Sequence, residues 1–221
     1  RALEDQGEVR ILIFDNASRD QVWQIKRRFP EVELICSSLN VGFSKAVNQC
    51  IRAGNAPYVL ILNPDTYIRG AFFKSMIDFM KANPRVGIIG PKILDPQGDV
   101  QGSARTFPTF STAFFGRDTL LTRWFPNNRY TAKQILANNS GITDPVDVDW
   151  VSGACMMVRR EAIESVGMLD EHFFMYWEDA DWCQRMRRKN WRVVYFPCSE
   201  ILHYCGVSSR KNYIQSSLEF H

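Results

Sequence analysis

Short apolar runs of strand length alternate with segments whose apolar residues recur at helical spacing, and that alternation confines the chain to a layered α/β architecture. Val9 to Phe14 is a β-branched run closed by Asp15-Asn16-Ala17-Ser18, after which Val22, Ile25 and Phe29 repeat at helical spacing as far as Pro30. Val32 to Cys36 leads to Asn40-Val41-Gly42-Phe43 and a second helical face of Val47, Cys50 and Ile51, stopped by Gly54. Tyr58 to Leu62, the turn Asn63-Pro64-Asp65 and a helix marked by Phe73, Met76, Ile77 and Met80 repeat the unit, and Val86 to Ile89 reads as a fourth strand. The repetition predicts a mostly parallel sheet with helices on both faces, which takes its ligands beyond the carboxyl ends of the strands. Asp15, Asn40 and Asp65 fall at or just past those ends, although ordinary turn chemistry also makes loops polar.

From Gln101 to Asp149 the rhythm is lost. Phe107-Pro108, Phe114-Phe115 and Trp124-Phe125-Pro126 are interspersed with Arg105, Arg117, Arg123 and Arg129, which reads as an insertion or lid. Its aromatic and basic residues suit an anionic membrane surface or a lipid-linked acceptor, or else simple packing onto the domain; Arg117, interrupting the apolar stripe, favours packing. The alternation resumes with a strand from Ala154 to Val158, a helix from Arg160 to Val166 and the aromatic-acidic stretch Phe173 to Trp182. A helix from about Glu178 to Lys189, a strand from Trp191 that Pro197 should end, and an extended segment carrying His203 complete the pattern.

With 221 residues, 45% hydrophobic and 23% charged, the chain has the composition of one globular domain. A net charge of +3 is too small to argue for nucleic acid as a partner. The longest apolar runs fall well short of the ~20 residues that span a bilayer. Six cysteines, none in a Cys-x-x-Cys pair, read as thiols of a reducing compartment, so a cytoplasmic location is expected. The chain opens at Arg1 without a methionine or a signal peptide and reads as a fragment. No Gly-x-Gly-x-x-Gly, phosphate-binding Gly-Lys-Ser/Thr loop, Gly-x-Ser-x-Gly or His-Glu-x-x-His is present, which argues against dinucleotide oxidoreductases, P-loop NTPases, α/β-hydrolases and zincins.

The remaining chemistry is carboxylate chemistry. Pro64 stiffens the turn that projects Asp65, and a lone carboxylate there suits a hard cation that also binds phosphates, or else the cap of the next helix. Glu178, Asp179 and Asp181 crowd one helix start; acids there complement the helix dipole, and Asp181 stands four residues before Arg185, an ordinary ion-pair spacing. Capping explains one carboxylate. Three beside a wall of aromatics describe a partly dry cleft in which Asp179 is a candidate general base for a hydroxyl nucleophile. His203, near Cys205, decides nothing by itself, since a lone histidine is more often a hydrogen-bonded structural residue than a ligand.

In order along the chain, Asp15-Asn16-Ala17-Ser18, Asn40-Val41-Gly42-Phe43, Leu62-Asn63-Pro64-Asp65-Thr66, Trp150-Val151-Ser152-Gly153-Ala154, Gly167-Met168-Leu169-Asp170-Glu171, Phe173 through Arg185, and His203 resemble glycosyltransferase family 2. The resemblance is to its bacterial branch, which includes many rhamnosyltransferases, and it implies a Rossmann-like GT-A fold. It also implies residues 1–100 as the nucleotide-sugar part, 101–149 as the lid and 150–221 as the acceptor and catalytic part of a single domain. Asp15, Asn16, Asn40, Gly42 and Asn63 would then line the nucleotide, Asp65 would be the surviving acid of the DXD-type motif, and His203 a recruited second ligand for Mn²⁺ or Mg²⁺. Asp179 would be the base of an inverting displacement, with Arg105, Trp150, Gly153, Trp177 and Glu178 on the substrate side. The implied partners are a UDP- or dTDP-sugar and a glycan or lipid-linked acceptor, at the inner face of the membrane. Family members carry a further strand and helix before the Asp15 strand, so the chain reads as N-terminally truncated. A non-catalytic sugar-nucleotide or glycan-binding fragment is the alternative; a nucleotidyltransferase would need a Gly-rich loop that is not visible.

Overall fold

In a computed structural model, residues 9–19, 21–107 and 141–204 are described. The expected lid falls largely outside them, together with Arg117, Arg123, Arg129 and Cys205. The chain runs β1 (Leu12–Asn16), α1 (Trp23–Arg28), β2 (Glu33–Ser37), α2 (Phe43–Ala53), β3 (Tyr58–Leu62), β4 (Thr66–Ile68), α3 (Phe72–Ala82) and β5 (Val86–Leu94). Then come β6 (Ala104–Arg105), β7 (Val146–Asp147), β8 (Trp150–Val151), β9 (Cys155–Arg159), α4 (Arg160–Val166), α5 (Glu178–Arg188) and β10 (Arg192–His203).

The α/β layering follows the sequence pattern, but the pairing is less parallel than expected: β1 with β2 and β5 with β10 are parallel. The main sheet is mixed, in the order β3-β9-β5-β10-β4 with β7 on β10. β9 runs antiparallel to both β3 and β5. An antiparallel partner has no need of the helical crossover that a parallel one requires. β1 and β2 form a separate two-stranded sheet, and β6 pairs β8 antiparallel.

Strand alternation sorts the core onto two faces. Ile88, Met156, Val158, Val193 and Tyr195 join Ile51, Trp182 and Met186 in one buried cluster. Ile89, Cys155, Met157, Val194 and Phe196 point the other way, onto Phe72, Met76 and Met80 of α3. α5 therefore presents Trp182, Cys183 and Met186 to the sheet and, Glu178 apart, keeps its charged residues off the buried stripe. Among the described residues no helix is long and apolar enough to cross a membrane.

Two local expectations are corrected. Pro197 does not end its strand: β10 continues to His203, because the register with β5 shifts between Phe196 and Glu200. A proline in such a bulge gives up no ladder hydrogen bond. Nor does Asp65 open a helix. The short strand β4 follows it, and α3 starts after Ala71 without any side-chain cap, which removes the capping alternative for Asp65.

Candidate active site

Parallel pairing brings the ends of β1 and β2 together, with Asp15 opposite Cys36 and Asn16 opposite Ser37. Asn16 uses its amide to shape the following loop: Oδ1 accepts the Val41 N–H at 2.7 Å, and Nδ2 donates to Asn40 Oδ1 at 2.8 Å and to the Gly42 carbonyl at 3.3 Å. Asn40 Oδ1 also accepts the Gly42 N–H at 3.0 Å. Both asparagines thus hold the loop, while Asp15 closes its own turn on Ser18 N–H at 3.0 Å. Gly42 has φ +84°, and a Cβ there would lie 2.7 Å from the Phe174 carbonyl oxygen, so no other residue fits.

A second cluster forms where β3 and β10 end. The Asn63 N–H donates to the Ala154 carbonyl at 2.9 Å and the Tyr204 N–H to the Asp65 carbonyl at 2.9 Å. With Thr66 paired to His203, the Asp65 carboxylate comes 3.2 Å from His203 Nε2. Gln101 orients the imidazole from behind. Its Nε2 donates to the His203 carbonyl at 3.0 Å, which leaves Oε1 to accept from Nδ1 at 3.1 Å. With Nδ1 turned to Gln101, Nε2 faces the carboxylate, and the two form a nitrogen and oxygen donor pair that fits a divalent cation between them. Among the described residues no group of three or more His, Cys, Asp or Glu gathers for a metal, so the remaining ligands would be phosphate and water oxygens.

The third cluster surrounds the start of α5. Asp179 Oδ2 accepts the Gly153 N–H at 2.9 Å and Oδ1 the Ala180 N–H at 2.8 Å. Burial pushes its carboxyl above the ordinary range, opposed by those N–H groups and by the charge of Arg105. Arg105 lies 5.1 Å from the centre of the Trp150 ring, its partner across β6 and β8. Glu178 is only 6% exposed, its Oε2 has no hydrogen-bond partner, and burial, with the Asp179 charge adding to it, lifts its carboxyl to about 7. Asp181 is spent on Arg185 at 2.7 Å, the ordinary pair its spacing suggested. Tyr176 and Trp177 both take left-handed backbone angles, φ +69° and +71°, and Trp177 stands 57% exposed beside the acids. Such angles cost of order 1–3 kcal/mol each in a non-glycine residue and cluster at functional sites.

The turn from Ser152 to Ala154 joins the second and third clusters: Ala154 receives Asn63, Gly153 holds Asp179, and the Ser152 N–H donates to the Ser103 carbonyl at 2.9 Å, two residues from Gln101. The first cluster is tied in through the Phe43 N–H, which donates to the Phe174 carbonyl at 2.7 Å. Gln101 escaped the sequence reading because only the pairing of distant segments sets it behind His203.

Residues 1–167 match the family model described as glycosyl transferase family 2. The chain belongs to that family. It is 34% identical over 225 residues to the N-acetylglucosaminyl-diphospho-decaprenol L-rhamnosyltransferase of Mycobacterium tuberculosis, an alignment covering 96% of this chain and 71% of the relative. It is 27% identical over 201 residues to a low-salt glycan biosynthesis hexosyltransferase of Haloferax volcanii, covering 89% of this chain and 59% of that one. Among solved structures, GalNAc-T7 with UDP, GalNAc and Mn²⁺ superposes with a TM-score of 0.66 at 13% identity, covering 94% of this chain and 40% of that chain. That likeness speaks for the GT-A fold. As a member of family 2 with this fold, the chain is a glycosyltransferase that moves a sugar.

Proposed function

We propose that the three clusters form one site for inverting transfer of a sugar, rhamnose in particular, from a UDP- or dTDP-sugar to a glycan or lipid-linked acceptor. The observation that carries the reading is the Ser152–Ala154 turn, which anchors the Asp65 loop and the Asp179 carboxylate on consecutive residues. Asp15 and the Asn16–Asn40–Gly42 loop serve the nucleotide, with Asn63 beside them. Asp65 and His203 would hold a divalent cation, Mn²⁺ or Mg²⁺, whose charge offsets that of the departing diphosphate. Asp179 takes the proton of the acceptor hydroxyl as that oxygen bonds to the anomeric carbon and the nucleoside diphosphate leaves from the opposite face. Two N–H donors aim the carboxylate, and its raised pKa makes it a better proton acceptor than a solvated aspartate. Trp177 and Trp150 offer ring faces to sugars, Gly153 aims the base, and Arg105 and Glu178 line the acceptor side.

Rhamnose and a lipid-diphosphate acceptor are supported by the activity of the mycobacterial relative, and such an acceptor would bring the enzyme to the inner membrane face. Asp179→Asn is expected to lower transfer by ~10²–10⁴-fold while donor binding, followed by calorimetry, persists. An unchanged kcat would remove Asp179 from the reaction.

A further inference from the structure

We propose that Asn48 is a positioning residue for Asp179: from the middle of α2 it clamps the turn that begins the strap leading to the base. The proposal rests on the reading of Asp179 as base. Asn48 is 1% exposed and shares the inner stripe of α2 with Ser44 and Ile51. An amide there costs stability unless every polar atom is met. Here the partners come from a segment more than a hundred residues away. Asn48 Oδ1 accepts the Leu169 N–H at 3.1 Å, and Nδ2 donates to the Leu169 carbonyl at 2.9 Å and to Glu171 Oε1 at 3.0 Å. Arg52, one helical turn further on, donates to the same Glu171 oxygen at 2.9 Å.

The start of α2 grips the strap a second time. The Phe43 N–H donates to the Phe174 carbonyl at 2.7 Å, where Gly42 leaves room for the strap's backbone. Beyond that second grip come only Met175, the left-handed Tyr176 and Trp177, and then Glu178 and Asp179. Asp179 is therefore located from two sides, by the Gly153 N–H and by a strap fixed at two points on α2. The same helix start carries the Asn40–Gly42 loop, so one rigid element sets the distance between the donor loop and the base. A displacement of about 1 Å at a reacting group is enough to cost ~10²-fold in rate.

The test uses the full-length enzyme, with kcat, KM and donor affinity by calorimetry measured on each variant. Asn48→Asp sets a second carboxylate against Glu171 and is expected to lower kcat at least tenfold while donor affinity stays within twofold. Adding Glu171→Gln returns a donor to that contact and is expected to restore at least threefold of the loss. A purely structural Asn48 would instead show kcat within twofold of the parent in the folded variant, or donor affinity falling in step with kcat, or no recovery in the double variant; each overturns the proposal. If Asn48→Asp does not fold, Glu171→Ala alone is expected to lower kcat at least threefold at unchanged donor affinity, and an unchanged kcat overturns the clamp. Asp179→Asn is the reference. Full activity there defeats the base assignment, whereas loss there with full activity in the clamp variants defeats only the clamp.

Discussion

Glu178 and Asp179 are chain neighbours in one helical turn, and the difference between them is what their oxygens meet. Asp179 has two N–H donors, whereas Glu178 has an orphaned Oε2 and lies on the stripe that continues into Trp182 and Met186. Its carboxyl stands at about 7 in the folded chain against an ordinary 4.5. Between those values the folded state binds more protons than the unfolded one. The stability Glu178 contributes is therefore full below about 4.5 and is lost as pH rises through about 7. Glu178→Gln, which does not titrate, should lose less melting temperature than the parent between pH 5 and pH 8. Parallel denaturation curves for the two proteins would refute the burial argument.

At the scale of elements, α5 shows how one helix carries two kinds of acid. Asp181 pairs with Arg185, whose other nitrogens reach the Met168 and Val166 carbonyls, so the guanidinium keeps partners when the aspartate is removed. Asp181→Ala should cost only ~0.5 kcal/mol in denaturant unfolding and leave transfer near the parental rate. A drop in kcat like that of Asp179→Asn would show the two acids to be one functional unit. β10 carries the complementary lesson. Its Val193 to Phe196 half packs on both faces of the sheet, and after the bulge at Pro197 its end delivers His203 to Asp65. The strand that completes the core thus also completes the candidate metal pair.

For the molecule as a whole, the proposed site would exist only while segments from both ends of the chain stay docked. A ligand that binds only the folded state raises its stability by RT ln(1 + [L]/Kd), about 2.7 kcal/mol at a hundredfold excess over Kd. Mn²⁺ together with a UDP- or dTDP-sugar should therefore raise the melting temperature by several degrees. Chelation by EDTA, or His203→Ala, should abolish most of that rise. A ligand-induced shift that survives both would separate donor binding from the Asp65–His203 pair.

The sequence alone was enough for the α/β layering and for most element positions, because these depend on local periodicity. Asp65 and Asp179 stood out as candidates by residue type and place along the chain, His203 as a candidate ligand only through the family resemblance, and the Asp181–Arg185 pair, which lies within one helix, by spacing. Tertiary structure decided the antiparallel entry of β9, the passage of β10 through Pro197, the partners of Asn48 and Gln101, and the burial of Glu178 with its Oε2 unpartnered. Each of these depends on which distant backbone a side chain meets, and the energy of that meeting comes from burial and hydrogen bonding between segments a hundred residues apart, which no local spacing encodes.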